Sequence, residues 1–131
     1  MIVSSAVKPS SNGVSLSPAG DVLYVNGMEG NAGVLRAYPI VGGKPQKGHD
    51  LVRGLGVPDG MAVDCRGNVY VSEHTDRRLR VFTPEGKHIA TIKVDANVTN
   101  AAFGGADGKT LFITGAGAVW KIELGITGSP Y

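Results

Sequence analysis

Three polar side chains with oxygen donors, Asn12, Asp59 and Asn100, begin three similar segments of the sequence. Each stands just before a short apolar stretch, and the intervals between them are 47 and 41 residues. Carboxylate and amide oxygens are the ligands that hard cations such as calcium and magnesium prefer. A carboxylate beside a water molecule can also accept its proton. Asn and Asp are equally common in turns, so a purely structural role is the alternative.

The segments that these residues begin form an internal repeat. The units cover residues 12–25, 59–71 and 100–113. Each starts with Asn or Asp, continues as a short apolar segment, turns at a glycine and ends in an apolar segment that contains an aromatic residue. An internal period of roughly 40–50 residues is typical of four-stranded β-propeller blades. The repeat therefore predicts a β-propeller.

The residues between these units also favour strands. Apolar and polar residues alternate with the period of two that a half-buried strand requires, over residues 78–83, 88–94 and 118–124, and residues 33–40 are also predicted to form a strand. No sustained 3.6-residue period predicts a helix. The 20 glycines are scattered between apolar segments, as the turns of many short strands would place them. We therefore predict an all-β fold.

The predicted architecture is a single domain, residues 1–131, of three four-stranded blades at about residues 8–54, 55–95 and 96–131. Three blades are half of a six-bladed ring, and both end blades would expose an apolar sheet face. Closure of the ring by a homodimer is expected; a fragment of a longer protein or a different association are alternatives. The third unit shows no fourth strand after Leu124, and the segment Ile2 to Val7 is a candidate for it.

Composition and charge narrow the possible partners. The net charge of +2 is small and dispersed, which argues against nucleic-acid binding. The densest basic stretch, Arg77, Arg78 and Arg80, is predicted to be a solvated strand surface. The single Cys65 provides neither a disulfide framework nor a cysteine metal cluster. No apolar segment is long enough to span a membrane and no signal peptide is recognisable, so the cytoplasm is the expected compartment.

The repeats resemble the senescence marker protein / gluconolactonase / luciferin-regenerating enzyme family of six-bladed propellers. The resemblance rests on three motifs in the expected order and spacing. They are Ser-Asn-Gly at residues 11–13 with Leu-Ser-Pro at 16–18, PDGMAVD at 58–64 with GNVYV at 67–71, and TNAAFGG at 99–105. The similarity covers nearly all of this chain but only the C-terminal half of the usual family protein.

The resemblance implies a metal-dependent hydrolase of lactones or related esters. Family members hold one divalent cation in the central channel, and by position Asn12 and Asp59 are ligands, with Asp59 also the candidate general base. Calcium is the favoured cation, with magnesium, manganese and zinc as alternatives. Two further metal-site residues of the family, a Glu and an Asn, belong to the half that this chain lacks. A second copy of the chain is therefore expected to complete the site.

The position of Asn100 in the repeat makes it a third candidate ligand. In a propeller, residues that open the inner strands meet at one mouth of the channel, so Asn12, Asp59 and Asn100 are expected to lie together. A cation held there would polarise the carbonyl of a small-molecule lactone or ester and acidify an attacking water. The alternatives are a non-catalytic propeller module that binds a metal or small ligand, and a truncated remnant without activity.

Other polar and aromatic residues have simpler interpretations. Glu73, His74 and Asp76 follow the second strand of the middle unit, where an exposed turn is favoured over a place at the channel entrance. Phe82 and Trp120 alternate with polar neighbours, which predicts packing in the core rather than contact with a ligand.

Overall fold

The computed structural model describes residues 10–130 of the chain. These residues form twelve β-strands, joined by turns and loops, and no helix. Within that range no helix is long and apolar enough to cross a membrane. The first sheet has the order β1-β2-β3-β5, and a short β4 pairs with the C-terminal end of β3. These strands are β1 (Ser10–Leu16), β2 (Val22–Glu29), β3 (Ala32–Val41), β4 (Lys44–Pro45) and β5 (His49–Leu55).

The second and third sheets are antiparallel meanders with the orders β6-β7-β8-β9 and β10-β11-β12. Their strands are β6 (Pro58–Val63), β7 (Val69–Glu73), β8 (Arg78–Phe82), β9 (His88–Lys93), β10 (Val98–Gly104), β11 (Thr110–Gly115) and β12 (Ala118–Glu123). The all-β prediction is confirmed. The four segments predicted between the repeat units are all strands, and their ends differ from the prediction by no more than one residue.

Two apolar layers hold the three sheets face to face. The second sheet contributes to both layers, because successive side chains of a strand point to opposite faces. Val69 and Val71 pack toward the first sheet with Tyr24, whereas Tyr70 packs toward the third sheet with Leu111. Each fully buried side chain of this kind stabilises the fold by about 1.5–3 kcal/mol. Packing between sheets therefore holds the second sheet between the first and the third.

The third sheet has three strands among the described residues rather than the predicted four. The chain after Leu124 turns back to the second sheet, where Gly128 pairs with Asp64. Gly128 lies so close to the Phe103 ring that a Cβ atom there would collide with it. The tail thus pairs with the second sheet and adds no strand to the third sheet. The other candidate for a fourth strand, Ile2 to Val7, lies outside the described residues.

Glu73 is a fully buried carboxylate at the end of β7. Its Oε2 accepts the Gly56 amide at 2.6 Å, and its Oε1 accepts Nε of Arg80 at 2.5 Å and Nε of Arg78 at 3.0 Å. The prediction that Arg78 and Arg80 form a solvated surface is therefore wrong. A buried carboxylate is costly unless cations and hydrogen bonds compensate it, so both guanidinium groups turn toward Glu73.

The environment of Glu73 shifts its titration. Burial by itself raises the pKa of the Glu73 carboxyl, but hydrogen bonds from Arg80, Arg78 and the Gly56 amide outweigh burial and hold the pKa below its ordinary value of 4.5. The folded protein therefore binds this proton less readily than the unfolded chain does. The stability that Glu73 contributes is complete above about pH 4.5 and is lost as the pH falls through the lowered pKa of the folded state.

Replacing Glu73 by Gln keeps the size of the side chain and removes its charge. We expect the free energy of unfolding at neutral pH to fall by about 2–3 kcal/mol, because the four charge-assisted hydrogen bonds from Arg78 and Arg80 weaken. The loss of stability on acidification should also become shallower than in the wild type. Urea unfolding at a series of pH values measures both effects. Glu85→Gln, at an exposed turn position, is the control, and equal losses in the two variants would contradict the assignment.

Candidate functional site

The inner strands of the three sheets lie side by side, β1 next to β6 and β6 next to β10. Each contains a bulge near its beginning, where the pairing with the neighbouring strand shifts register. The shifts fall between Ser11 and Val14, between Pro58 and Met61, and between Val98 and Asn100. Bulges redirect side chains and are common beside functional sites. The candidate residues of the sequence analysis lie in or next to these bulges.

Side chains from one bulge reach the backbone of the next. Nδ2 of Asn12 donates to the Pro58 carbonyl at 3.3 Å. Gly60 lies directly against the Asn100 side chain, because a Cβ atom on Gly60 would collide with the Asn100 amide group. Since Pro58 and Gly60 flank Asp59, the structure brings Asn12, Asp59 and Asn100 together at one end of the inner strands.

The pairing of the strands corrects one detail of the repeat. In each bulge two residues of the inner strand lie opposite one residue of its partner, namely 12 and 13 opposite 26, 59 and 60 opposite 72, and 99 and 100 opposite 114. Counted this way, Asn12 and Asp59 hold the same position, and the third sheet has Thr99 there, one residue before Asn100. Asn100 instead matches Gly13 and Gly60. It still adjoins Asp59, but it does so from a different place in its bulge.

The three side chains offer oxygen donors of different kinds. Asp59 is half-buried, and Asn12 and Asn100 are exposed. Oδ1 of Asn100 accepts the amide of Ala101 at 2.9 Å. Within residues 10–130 the Asp59 carboxylate joins no ion pair. The part of the chain that is described holds no group of three or more His, Cys, Asp or Glu side chains suited to a metal.

This donor set fits a hard cation in kind but not in number. One carboxylate and two amide groups are oxygen donors, which calcium and magnesium prefer. Calcium takes roughly six to eight oxygen ligands, so three side chains of one chain supply only part of a coordination shell. Asp59 is the one charged member of the set. A cation at this place would depend on Asp59 for its charge compensation and on further donors for its remaining ligands.

An apolar groove continues from the polar site along the inner strands. Its volume is about 520 Å³, and its walls come from residues 14–16 of β1, 61–63 of β6 and 101–103 of β10. Val14, at the polar end of this groove, is 63% exposed. The groove is therefore an open apolar surface along the line where the inner strands of a closed propeller would surround their channel.

Residues near the site have structural partners. Nδ1 of His74 hydrogen-bonds the Val98 carbonyl at 2.8 Å, and the His74 amide donates to the Val57 carbonyl at 2.8 Å. His74 thus links the second sheet to the third. Glu73 belongs to the buried ion cluster with Arg78 and Arg80. Phe82 is buried in the core, as predicted.

Asn26, which is completely buried in β2, was not predicted as a site residue from the sequence. Its Oδ1 accepts the Gly13 amide at 2.9 Å, and its Nδ2 donates to the Asp59 carbonyl at 2.6 Å. Asn26 therefore contacts the backbone beside two of the predicted site residues. The signal in the sequence was a lone amide in an apolar strand, between Val25 and Gly27.

The family profile described as SMP-30/gluconolactonase/LRE-like region matches residues 7–117. The chain belongs to this family. The resemblance inferred from the three motifs is thereby confirmed. Over 63 residues the chain is 40% identical to regucalcin of Danio rerio, a match that covers 47% of this chain and 21% of the relative. It is 44% identical over 63 residues to the putative sugar lactone lactonase YvrE of Bacillus subtilis, covering 47% and 22%.

Solved structures of the SMP-30/gluconolactonase/LRE-like family have the same fold. The gluconolactonase XC5397 of Xanthomonas campestris superimposes with a TM-score of 0.76 at 26% identity, covering 87% of this chain and 37% of that one. The solved relatives are β-propellers. The matched segments thus cover about a fifth of the length of these two curated relatives, and the superimposed part covers just over a third of the XC5397 structure.

The contact between β1 and β6 predicts a strict requirement for glycine at residue 13. In Gly13→Ala the new methyl group would collide with the Asp59 carbonyl and lie 2.7 Å from Nδ2 of Asn26. We expect the free energy of unfolding to fall by about 1–3 kcal/mol, as in other overpacked sites. Urea unfolding provides the measurement. Gly125→Ala is the control, since no atom of residues 10–130 lies within 4 Å of its Cβ position; an unchanged Gly13→Ala would refute the close approach.

Proposed function

We propose that this chain hydrolyses lactones or related esters with the help of a divalent cation, at a site that a second copy of the chain completes. The observation that carries the proposal is that the Asn12 and Asn100 side chains lie against the residues on either side of Asp59, where adjacent inner strands meet. Membership of a family that includes gluconolactonases supports the same reaction class. The oxygen-only donor set favours calcium, with magnesium, manganese or zinc as alternatives.

Each residue has a distinct task in the proposed reaction. The cation, when bound, supplies Lewis acidity toward the substrate carbonyl and the attacking water. Asn12 and Asn100 contribute amide oxygens as ligands of the cation, on either side of Asp59. Asp59 accepts the proton of the water whose oxygen bonds to the carbonyl carbon. The acyl carbon–oxygen bond then breaks, and the departing alkoxide takes the proton. Water is the only co-reactant.

Strand pairing supports completion by a second chain. If each sheet is a blade, both its faces should be covered by neighbours. The second pair after the bulge is Ser15 with Tyr24 in the first sheet, and its counterparts contain Tyr70 in the second and Phe112 in the third. Tyr24 and Tyr70 are 3% and 5% exposed between sheets, whereas Phe112 is 38% exposed.

The exposed face of the third sheet extends beyond Phe112. Val119 is 67% exposed, and it pairs with Thr114, which lies on the same face as Phe112. A second chain placed by a two-fold axis along the channel would cover this face with its own first sheet, and the reverse contact would form at the same time. The same arrangement would close the apolar groove and bring a second Asp59 to the channel.

Loss of the Asp59 charge tests the proposed chemistry. In Asp59→Asn we expect calcium binding, measured by titration calorimetry, to disappear or weaken strongly, because the site keeps no carboxylate. Hydrolysis of an aldonolactone should fall by about 10²–10⁴-fold with the loss of the proton acceptor. Asp95→Asn, an exposed carboxylate elsewhere, is the control. Unchanged calcium affinity would refute the site, and binding without turnover in the wild type would assign a binding module instead of an enzyme.

The solution mass tests the second chain. Light scattering on a sizing column should give twice the chain mass of 13.5 kDa for the wild type. Phe112→Lys should shift the protein toward the monomer, because a charge would be buried at the proposed interface. Ile89→Lys, at a 49% exposed position of the outermost strand of the second sheet, should leave the mass unchanged. A monomeric wild type would contradict ring closure by two copies.

A further inference from the structure

Each sheet has a polar side chain on its second strand opposite the bulge of its first strand. These residues are Asn26, Ser72 and Thr114, the equivalent members of β2, β7 and β11 by strand pairing. They lie on the same face as the aromatic residue two positions earlier in each strand, which is Tyr24, Tyr70 or Phe112. In the first two sheets that face packs against the next sheet. The three positions are equivalent in the fold, but their contacts differ.

Asn26 bridges two sheets through a single amide group. Its oxygen accepts the Gly13 amide of its own sheet, and its nitrogen donates to the Asp59 carbonyl of the next sheet. Asn26 is 0% exposed, so both bonds are shielded from water. A planar amide with a donor at one end and an acceptor at the other fixes the distance and the orientation between its two partners. Asn12 and Asp59 therefore have their backbones tied to one rigid group.

The other two positions make no such bridge in the described structure. The Ser72 hydroxyl is buried between the second and third sheets without a hydrogen-bond partner among residues 10–130. Thr114 bonds within its own sheet, to the Thr99 hydroxyl at 2.8 Å and to the Asn100 carbonyl at 3.4 Å. The bridging amide thus occurs at the interface where Asn12 meets Asp59, and the sheets themselves pack without it elsewhere.

We propose that Asn26 is the positioning residue of the cation site, holding Asn12 and Asp59 at the separation at which both ligate one cation. The inference rests on the proposed function. Asn26 does not reach the cation itself; it acts through the Gly13 amide and the Asp59 carbonyl. Groups behind the ligands of a metal site commonly set its affinity in this way, and their loss costs roughly 10–100-fold in binding.

The repeat supplies matched variants for the test. Asn26→Ser and Asn26→Thr introduce the residues that the second and third sheets carry at the same position, so the fold has precedent for both. We expect each variant to bind calcium roughly 10–100-fold more weakly than the wild type in titration calorimetry. Its discrimination between calcium and magnesium should also decrease, since looser ligands select less by size. Ser72→Ala, which removes no hydrogen bond, should bind calcium as the wild type does.

The possible outcomes distinguish a failure of this inference from a failure of the proposed function. A wild type that binds no calcium would overturn the proposed function and this role of Asn26 with it. A wild type that binds calcium, beside folded Asn26→Ser and Asn26→Thr variants of equal affinity, would overturn the positioning role alone. Urea unfolding of the cation-free proteins shows whether the variants fold. Failure of both to fold would also overturn the inference, because Asn26 would then serve the fold rather than the site.

Discussion

The close approach of the inner strands at their bulges is the constraint on which both the core and the candidate site depend. Gly13 lies against the Asp59 carbonyl and Gly60 lies against the Asn100 side chain, with no room for a β-carbon at either place. Side chains there would separate the inner strands. The two apolar layers would then lose their close packing, which is where most of the stabilisation arises. Site geometry and core density are therefore set by the same two glycines.

Charge near the site is arranged so that it does not oppose a cation. Pro58, which precedes Asp59, pairs with Glu73, so the buried ion cluster adjoins the candidate site. Arg78 and Arg80 outweigh the Glu73 charge, and Asp76 accepts a further bond from Arg78 at 3.2 Å. Two cations and two anions leave the cluster nearly neutral. The cluster therefore adds little net charge beside Asp59, which is the one charged member of the candidate set.

Local patterns predicted the strands and the neighbourhood of the site, but not the contacts between sheets. Alternation and the repeat located β3, β8, β9 and β12, and they placed Asn12 beside Asp59. They could not reveal that Thr99, rather than Asn100, holds the position in the β10 bulge that Asn12 and Asp59 hold in the other two sheets. The register of a strand depends on the partner strand with which it pairs. The role of Arg78 and Arg80 was missed for a related reason. Strand periodicity marks a side chain as outward-facing, whereas only the folded chain shows that a buried carboxylate lies within its reach.

The tail of the chain has a practical consequence. Residues 125–130 pack at the end of β6 opposite to Asp59, where the Cys65 amide donates to the Thr127 carbonyl at 2.9 Å. Cys65 is exposed and is the single cysteine of the sequence. A fluorophore attached to this thiol would sit at the junction of tail and second sheet, remote from the proposed chemistry. The fold thus contains its own attachment point for a spectroscopic reporter of how the tail packs on the second sheet.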